Sequence, residues 1–462
     1  MAASGDGYAF RPTNVDEINE AFGAARETGR KVVLRGAGRS YGDAALGDEA
    51  VVLDLSRMDR ILDWNPESGV LEAEGGATLA AIWRHCIEDG WWLPVVSGTM
   101  FPTLAGALAM NIHGKNHFKA GSLGEHVLEM EIVAPSGMTQ VLHPEDDLFS
   151  VVISSAGLLG VITRVRLQMH RVGSGDLRVL PISCRNWAEQ FAAFDALVGD
   201  IQALNPNCPD YMVSWIDAYA KGANAGRGLI HAAWYTEERG EPVSLRLGHQ
   251  ELPDTILGFI PKSVMWRFLK PWTNRFGMRM INAAKYRSSK MLGDGKPICQ
   301  SLAGFSFLLD YVPNWKNAYL PHGFIQYQSF VPREASQEVF ARQLDCAREA
   351  KLEPMLAVLK RHRPDPFLLT WALDGYSLAL DFKVTGKNWR KLQDLCWRMN
   401  DLVLQAGGRF YFAKDSTLRP QDVHAYLGKD AIEKFRAAKR DLDPEGLLSS
   451  SLAERVGLSE KP

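Results

Sequence analysis

Near the start of the chain, segments in which apolar residues recur with the helical period are followed by segments with the strand period. Ile18, Phe22 and Ala25 fall on one face of a predicted helix, which Asn14 caps and Gly29 ends. Further short helical and strand patterns follow, separated by glycine-containing turns. The first part of the chain is therefore predicted to be one α+β unit.

A glycine-rich loop follows the first predicted strand, at residues 32–34. Gly36, Gly38 and Gly42 are spaced Gly-x-Gly-x-x-x-Gly, one residue longer than the dinucleotide fingerprint of βαβ units. No helix is predicted after the loop, because residues 51–55 form a second strand pattern. Such a loop can turn its N–H groups inward around an anion. We interpret it as a phosphate loop of another architecture, or as an ordinary turn between strands.

A run of polar and titratable residues, 111–118, follows a small-residue helix predicted at 104–110. Buried polar groups need partners, so a bound ligand is one interpretation and a solvated polar turn is the other. His113 and His117 are four residues apart, but Gly114 disfavours a helix there and no third ligand is evident. No metal site is predicted.

The pattern loosens and becomes richer in aromatic residues over residues 173–405. Residues 323–330 alternate with period two, which places Gln326 and Gln328 on one largely apolar face. These amides suit hydrogen bonds to a polyol, or the wet side of a sheet. Lys414 follows an aromatic strand pattern near the end of the chain.

One segment, residues 262–287, contains seven basic residues, no acidic residue, and many aromatic and methionine side chains. This composition suits a helix or flap on an anionic membrane face. An ordinary surface helix or lid is the alternative. Nucleic-acid binding has no supporting motif.

Bulk composition narrows the class of protein. The net charge of −2 provides no global field for nucleic acid. Six widely spaced cysteines without a CxxC pair predict free thiols in a reducing compartment. Neither a secretory signal nor an apolar run of about 18 residues is present, so a cytoplasmic protein is expected, with peripheral contact at the inner membrane face if the basic segment binds lipid.

Six short motifs occur in order: residues 36–42, 98–99, 113–117, 121–122, 323–328 and 411–415. Together they resemble the vanillyl-alcohol-oxidase-type (PCMH-type) FAD-binding oxidoreductases, and within them the branch of decaprenylphosphoryl-β-D-ribose 2-oxidases. The resemblance implies an α+β fold: a two-subdomain FAD-binding domain at 1–172, a substrate or cap domain on an antiparallel sheet at 173–405, and a segment at 406–462 that returns to the FAD domain.

The resemblance also implies a set of FAD contacts. These are Arg35, Gly36, Ala37, Gly38, Arg39, Ser40, Tyr41, Gly98, Thr99, Thr103, Asn111, His113, Gly114, Asn116, Gly121, Ser122, Gly157, Gly160, Ile162 and Tyr411. Many relatives attach FAD covalently through a histidine at the position of Arg39. The arginine here implies a dissociable, non-covalent FAD.

By the same resemblance Lys414 and His113 are the catalytic candidates. The implied substrate-side positions are Lys115, Trp215, Gln326, Gln328, Lys360, Ala379 and Lys414. The expected chemistry is loss of a proton from a secondary hydroxyl with hydride transfer to flavin N5. Lys414 could be the base or a charged stabiliser, and the sequence leaves both open.

The expected substrate is a polyprenylphosphoryl-pentose oxidised at ribose C2 to the ketone, with a separate NAD(P)H-dependent reductase as a partner. The alternative is a soluble alditol, sugar or aldonolactone oxidase or dehydrogenase of the same superfamily. A third hypothesis is a flavin-binding or membrane-surface protein without turnover. Ala379 replaces the branch's cysteine, Ser377 an asparagine and Ser306 a tyrosine, which leaves the sugar and the electron acceptor open.

Overall fold

Three β-sheets organise the chain in a computed structural model, which describes residues 5–238, 243–256 and 260–459. The smallest sheet is parallel, with strands in the spatial order Gly7–Phe10, Ala50–Asp54 and Val32–Arg35. The glycine loop joins two of these neighbouring strands without an intervening helix, as predicted.

The first predicted helix is confirmed as Val15–Thr28. The side chain of Asn14 accepts the N–H of Glu17 at 3.0 Å, which supplies a partner for one exposed donor of the first turn. Gly29 ends the helix with φ of 65°, a conformation that glycine adopts without a Cβ clash.

A second sheet of five antiparallel strands completes the first part of the chain. Its spatial order is Ile61–Asn65, Val70–Glu74, Val161–Gln168, Val127–Val133 and Thr139–Leu142. The short helix Leu104–Ala109 packs on it, and the Thr103 hydroxyl caps that helix by accepting the N–H of Gly106 at 3.2 Å.

The third sheet has eight antiparallel strands and carries the substrate side of the molecule. Its spatial order is Ile298–Ser301, Asp176–Cys184, Gly228–Tyr235, Tyr211–Ile216, Leu356–His362, Gly375–Lys383, Phe324–Pro332 and Arg409–Phe410. Helices Trp187–Val198, Arg333–Glu349 and Trp389–Gln405 pack on one face. The predicted α+β class is confirmed. The domain limits stay a prediction, and the last strand of this sheet lies beyond residue 405.

The remaining regular elements are short or peripheral. The helices are Leu79–Cys86, His117–Ala120, Asp147–Val152, Leu247–Gln250, Met265–Leu269, Arg275–Leu292, Leu302–Ser306, Pro420–Leu427, Lys429–Leu442 and Ser451–Val456. Three two-stranded pairs are Trp91–Trp92 with His170–Arg171, Gly199–Asp200 with Ala203–Leu204, and Thr255–Ile256 with Ile260–Pro261. Within the described ranges, no helix is both long enough and apolar enough to cross a bilayer.

The last helix fixes the glycine loop against the segment that carries Lys414. Arg455 donates to both carboxylate oxygens of Asp43, at 2.8 and 2.7 Å, and lies 2.9 Å from Asp415. The N–H of Tyr41 donates to the carbonyl of Ala413 at 2.8 Å. One guanidinium therefore bridges two buried carboxylates from distant parts of the chain.

We predict that Arg455→Ala destabilises the fold by about 3–5 kcal/mol, because it leaves two buried carboxylates without their cation. Urea titration of the FAD-loaded protein measures this loss. Arg398→Ala is the matched control, since its 3.2 Å pair with Glu349 lies at the surface and is expected to contribute about 0–1 kcal/mol. Equal losses in the two variants would contradict the bridging role of Arg455.

Candidate active site

The glycine loop forms a close-packed cradle with unused donors. A Cβ on Gly36 would lie 2.1 Å from the Thr103 hydroxyl, and one on Gly42 would lie 1.6 Å from the carbonyl oxygen of Asp415. The loop therefore tolerates no side chain at either position. The N–H groups of residues 37–40 donate to none of the described residues, which leaves four adjacent amides for an anion.

One large cavity runs along this loop and continues between the two parts of the chain, and it is called the main cavity below. Most of the predicted positions line it: Arg35, Gly36, Ala37, Gly38, Arg39, Ser40, Tyr41, Gly98, Thr99, Thr103, His113, Gly157, Gly160, Ile162, Lys360, Tyr411 and Lys414. The cradle and the candidate catalytic residues thus share one continuous space.

Five predicted FAD contacts lie outside that lining: Asn111, Gly114, Asn116, Gly121 and Ser122. Asn111 has φ of 44°, and its side chain donates to Ser122 and Asp365, both at 3.0 Å, and accepts the N–H of Gly124 at 3.1 Å. Asn116 donates to the carbonyl of Pro94 at 2.8 Å. In this structure these residues hold the loop that carries His113.

The register of the eight-stranded sheet places the substrate-side residues on one face. Gln328 lies opposite Ala379, and Gln326 lies opposite Asp381. The amide of Gln326 donates to Asp381 at 2.6 Å, and the amide of Gln328 donates to the Ser377 hydroxyl at 3.0 Å. One oxygen of each of Gln326, Gln328 and Asp381 is buried without a partner among the described residues. Buried oxygens of this kind indicate a polar ligand.

His113 sits in an aromatic enclosure and is held neutral. Its ring centroid lies 4.7 Å from that of Trp371 and 5.3 Å from that of Tyr411. Its Nε2 lies 3.3 Å from the amide nitrogen of Gln328. Burial first, and then the positive charges of Lys360 and Lys414, lower the pKa of His113 well below its ordinary value. Neutral His113 can hydrogen-bond a ligand but supplies no positive charge.

Lys414 is placed to exchange a proton. Its Nζ lies 5.7 Å from the centre of the Tyr41 ring, at the end of the main cavity. Burial lowers the pKa of Lys414, and the nearby Asp381 carboxylate opposes part of that change. Burial likewise raises the pKa of Asp381. A lysine with a lowered pKa can accept a proton near neutral pH.

Three lysines, Lys115, Lys360 and Lys414, form what we call the lysine cluster. Burial first, and then the charges of Lys414 and Lys115, lower the pKa of Lys360 well below its ordinary value. Burial lowers the pKa of Lys115 to about 7, and its ammonium donates to the carbonyl of Phe305. The repulsion at Lys360 favours binding of an anion there.

Trp215 lies farther along the same sheet face, opposite Val358. The predicted substrate-side residues outside the lining of the main cavity are Lys115, Trp215, Gln326, Gln328 and Ala379. The ammonium of Lys285 sits 4.5 Å above the Trp215 ring. Trp215 therefore marks the outer part of the face, and the other substrate-side positions lie closer to His113 and Lys414.

Asp381 and Asp310 are the residues that sequence reasoning missed. Asp310 accepts the Thr99 hydroxyl at 2.7 Å and the N–H of Met100 at 2.8 Å, which fixes the second loop of the cavity. A signal existed for Asp381, because it is the one charged residue within the apolar run 378–382. A carboxylate inside a buried strand pattern requires a partner.

Comparison with known proteins agrees with this geometry. A family model described as "FAD binding domain" matches residues 7–143. The chain is 30% identical to decaprenylphosphoryl-beta-D-ribose oxidase of Mycolicibacterium smegmatis, over 94% of this chain and 91% of that protein. It is 29% identical to L-gulono-1,4-lactone dehydrogenase of Mycobacterium tuberculosis, over 34% of this chain and 36% of that protein.

The chain belongs to the vanillyl-alcohol-oxidase-type (PCMH-type) FAD-binding oxidoreductases, and it is an FAD-dependent oxidoreductase. Within that class it is similar over nearly its whole length to decaprenylphosphoryl-beta-D-ribose oxidase. The residues present fit FAD, because the four free amides of the cradle suit a pyrophosphate and the cavity beyond them is lined by His113, Tyr411 and Lys414.

We predict that acid precipitation of the FAD-loaded protein releases all of its flavin into the supernatant. Arg39, whose guanidinium lies 5.0 Å from the centre of the Phe101 ring, offers no nucleophile for a covalent bond. Absorbance of the supernatant and in-gel fluorescence of the pellet measure the two fractions. Arg39→His is the informative companion, because it restores the histidine. Fluorescence retained in the wild-type band would contradict a dissociable cofactor.

Proposed function

We propose that the protein oxidises a secondary hydroxyl of a polyprenylphosphoryl-pentose, converting ribose C2 to a ketone. The lysine cluster is the single observation that supports this substrate class best. Its three lysines share the substrate side of the molecule with one buried carboxylate, Asp381. A phosphodiester would favour the protonated forms of Lys115 and Lys360 and pair with them, whereas lactones and free polyols carry no charge that could do so.

The residues divide the chemistry between them. The substrate hydroxyl would give its proton to Nζ of Lys414, whose lowered pKa favours the unprotonated amine. Gln326, Gln328 and Asp381 would orient the pentose through their unpaired oxygens. Neutral His113 would hydrogen-bond an oxygen of the sugar and so help to position the reacting carbon. When bound, FAD supplies the acceptor for the hydride that leaves that carbon.

A second candidate is a soluble alditol, sugar or aldonolactone oxidoreductase. The paired Gln326 and Asp381 favour it, since amide and carboxylate oxygens suit a polyol without a phosphate. The Mycobacterium tuberculosis relative is named as a lactone dehydrogenase, which is the same class of chemistry. Ala379, where the branch carries a larger cysteine, leaves this pocket less specific for one sugar.

An anaerobic titration distinguishes the two candidate functions. The FAD-loaded protein receives farnesylphosphoryl ribose, xylitol or an aldonolactone in parallel cuvettes, and bleaching of the flavin band is recorded. Bleaching by the phosphorylated sugar alone is expected. Bleaching by xylitol or the lactone would move the assignment to the second candidate.

The ketone product would in turn require a separate NAD(P)H-dependent reductase to become the inverted alcohol, and we propose such an enzyme as a partner.

We predict that Lys414→Met slows flavin reduction by about 10²–10⁴-fold while FAD stays bound, because a general base contributes about that factor. The wild-type rate should rise with pH through the lowered pKa of Lys414, since only the unprotonated amine accepts the proton. The rate of the variant should not change over that range. Stopped-flow spectroscopy across pH measures both.

Lys316→Met is the control for this variant. Lys316 also lies against the Tyr41 ring, at 4.8 Å from its centre, but its side chain is exposed at the mouth of the site. It should keep the wild-type pH profile. If Lys414→Met also kept that profile, Lys414 would be a charged stabiliser and the base would lie elsewhere.

We predict that Lys360→Met raises KM for farnesylphosphoryl ribose by about tenfold or more, because a hydrogen bond to a charged group contributes about 1.5–3 kcal/mol. Any residual rate with xylitol should change less than threefold. Steady-state kinetics with a dye acceptor measures the contrast. Equal increases with both substrates would show that Lys360 supports the pocket without recognising phosphate.

A further inference from the structure

Several large apolar side chains are exposed together on one side of the cap region. Phe276 and Met291 are 72% and 81% exposed, and Phe268, Trp272 and Met280 are also exposed. All five belong to residues 265–292, which the structure folds as two helices joined by one turn. We call these five residues the apolar patch. Their concentration within one segment departs from the scattered apolar residues of an ordinary surface.

The longer helix, Arg275–Leu292, presents this patch as a stripe. Asn274 caps the helix by accepting the N–H of Gly277 at 3.0 Å. Phe276, Met280 and Met291 repeat at spacings of four and eleven residues, so they lie on one solvent-exposed face. Another face of the helix buries Tyr286 against Trp215 and Leu229 of the eight-stranded sheet. The helix therefore has one apolar face against the protein and a second one towards solvent.

Positive charge surrounds the stripe without compensation. Residues 262–293 contain eight basic residues and no acidic one. Arg275 is paired with Glu353. Apart from Lys285, which lies over the Trp215 ring, the exposed cations of this segment that form no ion pair with any described residue are Arg267, Lys270, Arg279, Arg287 and Lys290. An apolar stripe flanked by unpaired cations is the pattern of a helix that lies in an anionic membrane interface.

A second cavity connects this segment to the substrate side. It has a volume of about 770 Å³, and its lining includes Lys262, Ser263, Lys316 and Tyr41. Tyr41 also lines the main cavity, where its ring lies 5.7 Å from Nζ of Lys414. The second cavity therefore shares residues both with the basic segment and with the candidate active site.

We propose that the apolar patch and its five unpaired cations dock the protein on the surface of an anionic phospholipid bilayer. The aromatic and methionine side chains enter the headgroup region, while the cations bind lipid phosphates. Charge complementarity favours this occupant. An anionic bilayer offers an apolar interior for the stripe and phosphate groups for the cations beside it. The proposal stands on the surface alone and does not depend on which sugar is oxidised.

Flotation of the FAD-loaded protein with vesicles tests this docking. Binding is expected to vesicles of phosphatidylcholine containing about 30% phosphatidylglycerol, to be weaker with phosphatidylcholine alone, and to fall as salt is added. Arg279→Ala and Lys290→Ala should each lower the partition coefficient about fivefold, since each cation near the surface contributes about 1 kcal/mol. Trp272→Ser with Phe276→Ser should lower it further.

Leu62→Ser with Met138→Ser is the matched control, because these side chains are 42% and 47% exposed on the FAD-binding part of the chain. Retained flavin absorbance and melting temperature show that each variant is folded. Absence of binding to anionic vesicles, or equal loss in the patch and control variants, would overturn the proposal. Self-association that the patch variants abolish without vesicles would overturn it in favour of a second copy of the chain.

Discussion

Arg455 provides the constraint on which the reacting site depends. Its guanidinium holds Asp43, just after the glycine loop, and Asp415, just after Lys414. The backbone carbonyl of Asp415 leaves no room for a side chain at Gly42. Because both carboxylates are buried, neither can be satisfied by water, and the cation fixes their separation. The anion cradle and the candidate base therefore keep one relative position, although more than 370 residues separate them along the chain.

The register of the eight-stranded sheet fixes the positions of the substrate-side residues. Directly opposed residues of antiparallel strands share a face, so Gln326 faces Asp381, and Lys360 faces Ser377. A slip of one residue in either pairing would turn these polar groups into the helical layer behind the sheet. The buried network of Gln328, Ser377 and His362, with contacts of 3.0 and 2.7 Å, disfavours such a slip, because it would leave each member unpaired.

Local features of the fold could be predicted from the sequence, and long-range pairs could not. The cap at Asn14 and the glycine loop without a following helix follow from spacing within a few residues. The role of Arg455 depends on contacts between distant segments, which no periodicity encodes. The same limit applies to the site: the resemblance implies Lys414 and His113, and the apolar run around Asp381 signals a buried carboxylate, but its partner Gln326 lies on another strand. The predicted FAD contacts Asn111 and Ser122 bond each other, and Asn111 also bonds Asp365 from a distant part of the chain, a link that sequence spacing does not indicate.

Burial affects His113 and Lys414 in the same direction but gives them different roles. Burial lowers the pKa of His113 and of Lys414 alike, but the positive charge of Lys360 adds to the effect on His113, whereas Asp381 opposes it at Lys414. The histidine is thereby kept neutral across the physiological range, and the lysine stays within reach of protonation. A phosphate bound at the cluster would offset the repulsion at Lys360 and raise the pKa of that lysine. The pKa of Lys414 depends on burial and on Asp381, so Lys414 would still be able to accept the proton. Phosphate binding and proton transfer would therefore fall to different lysines of one cluster.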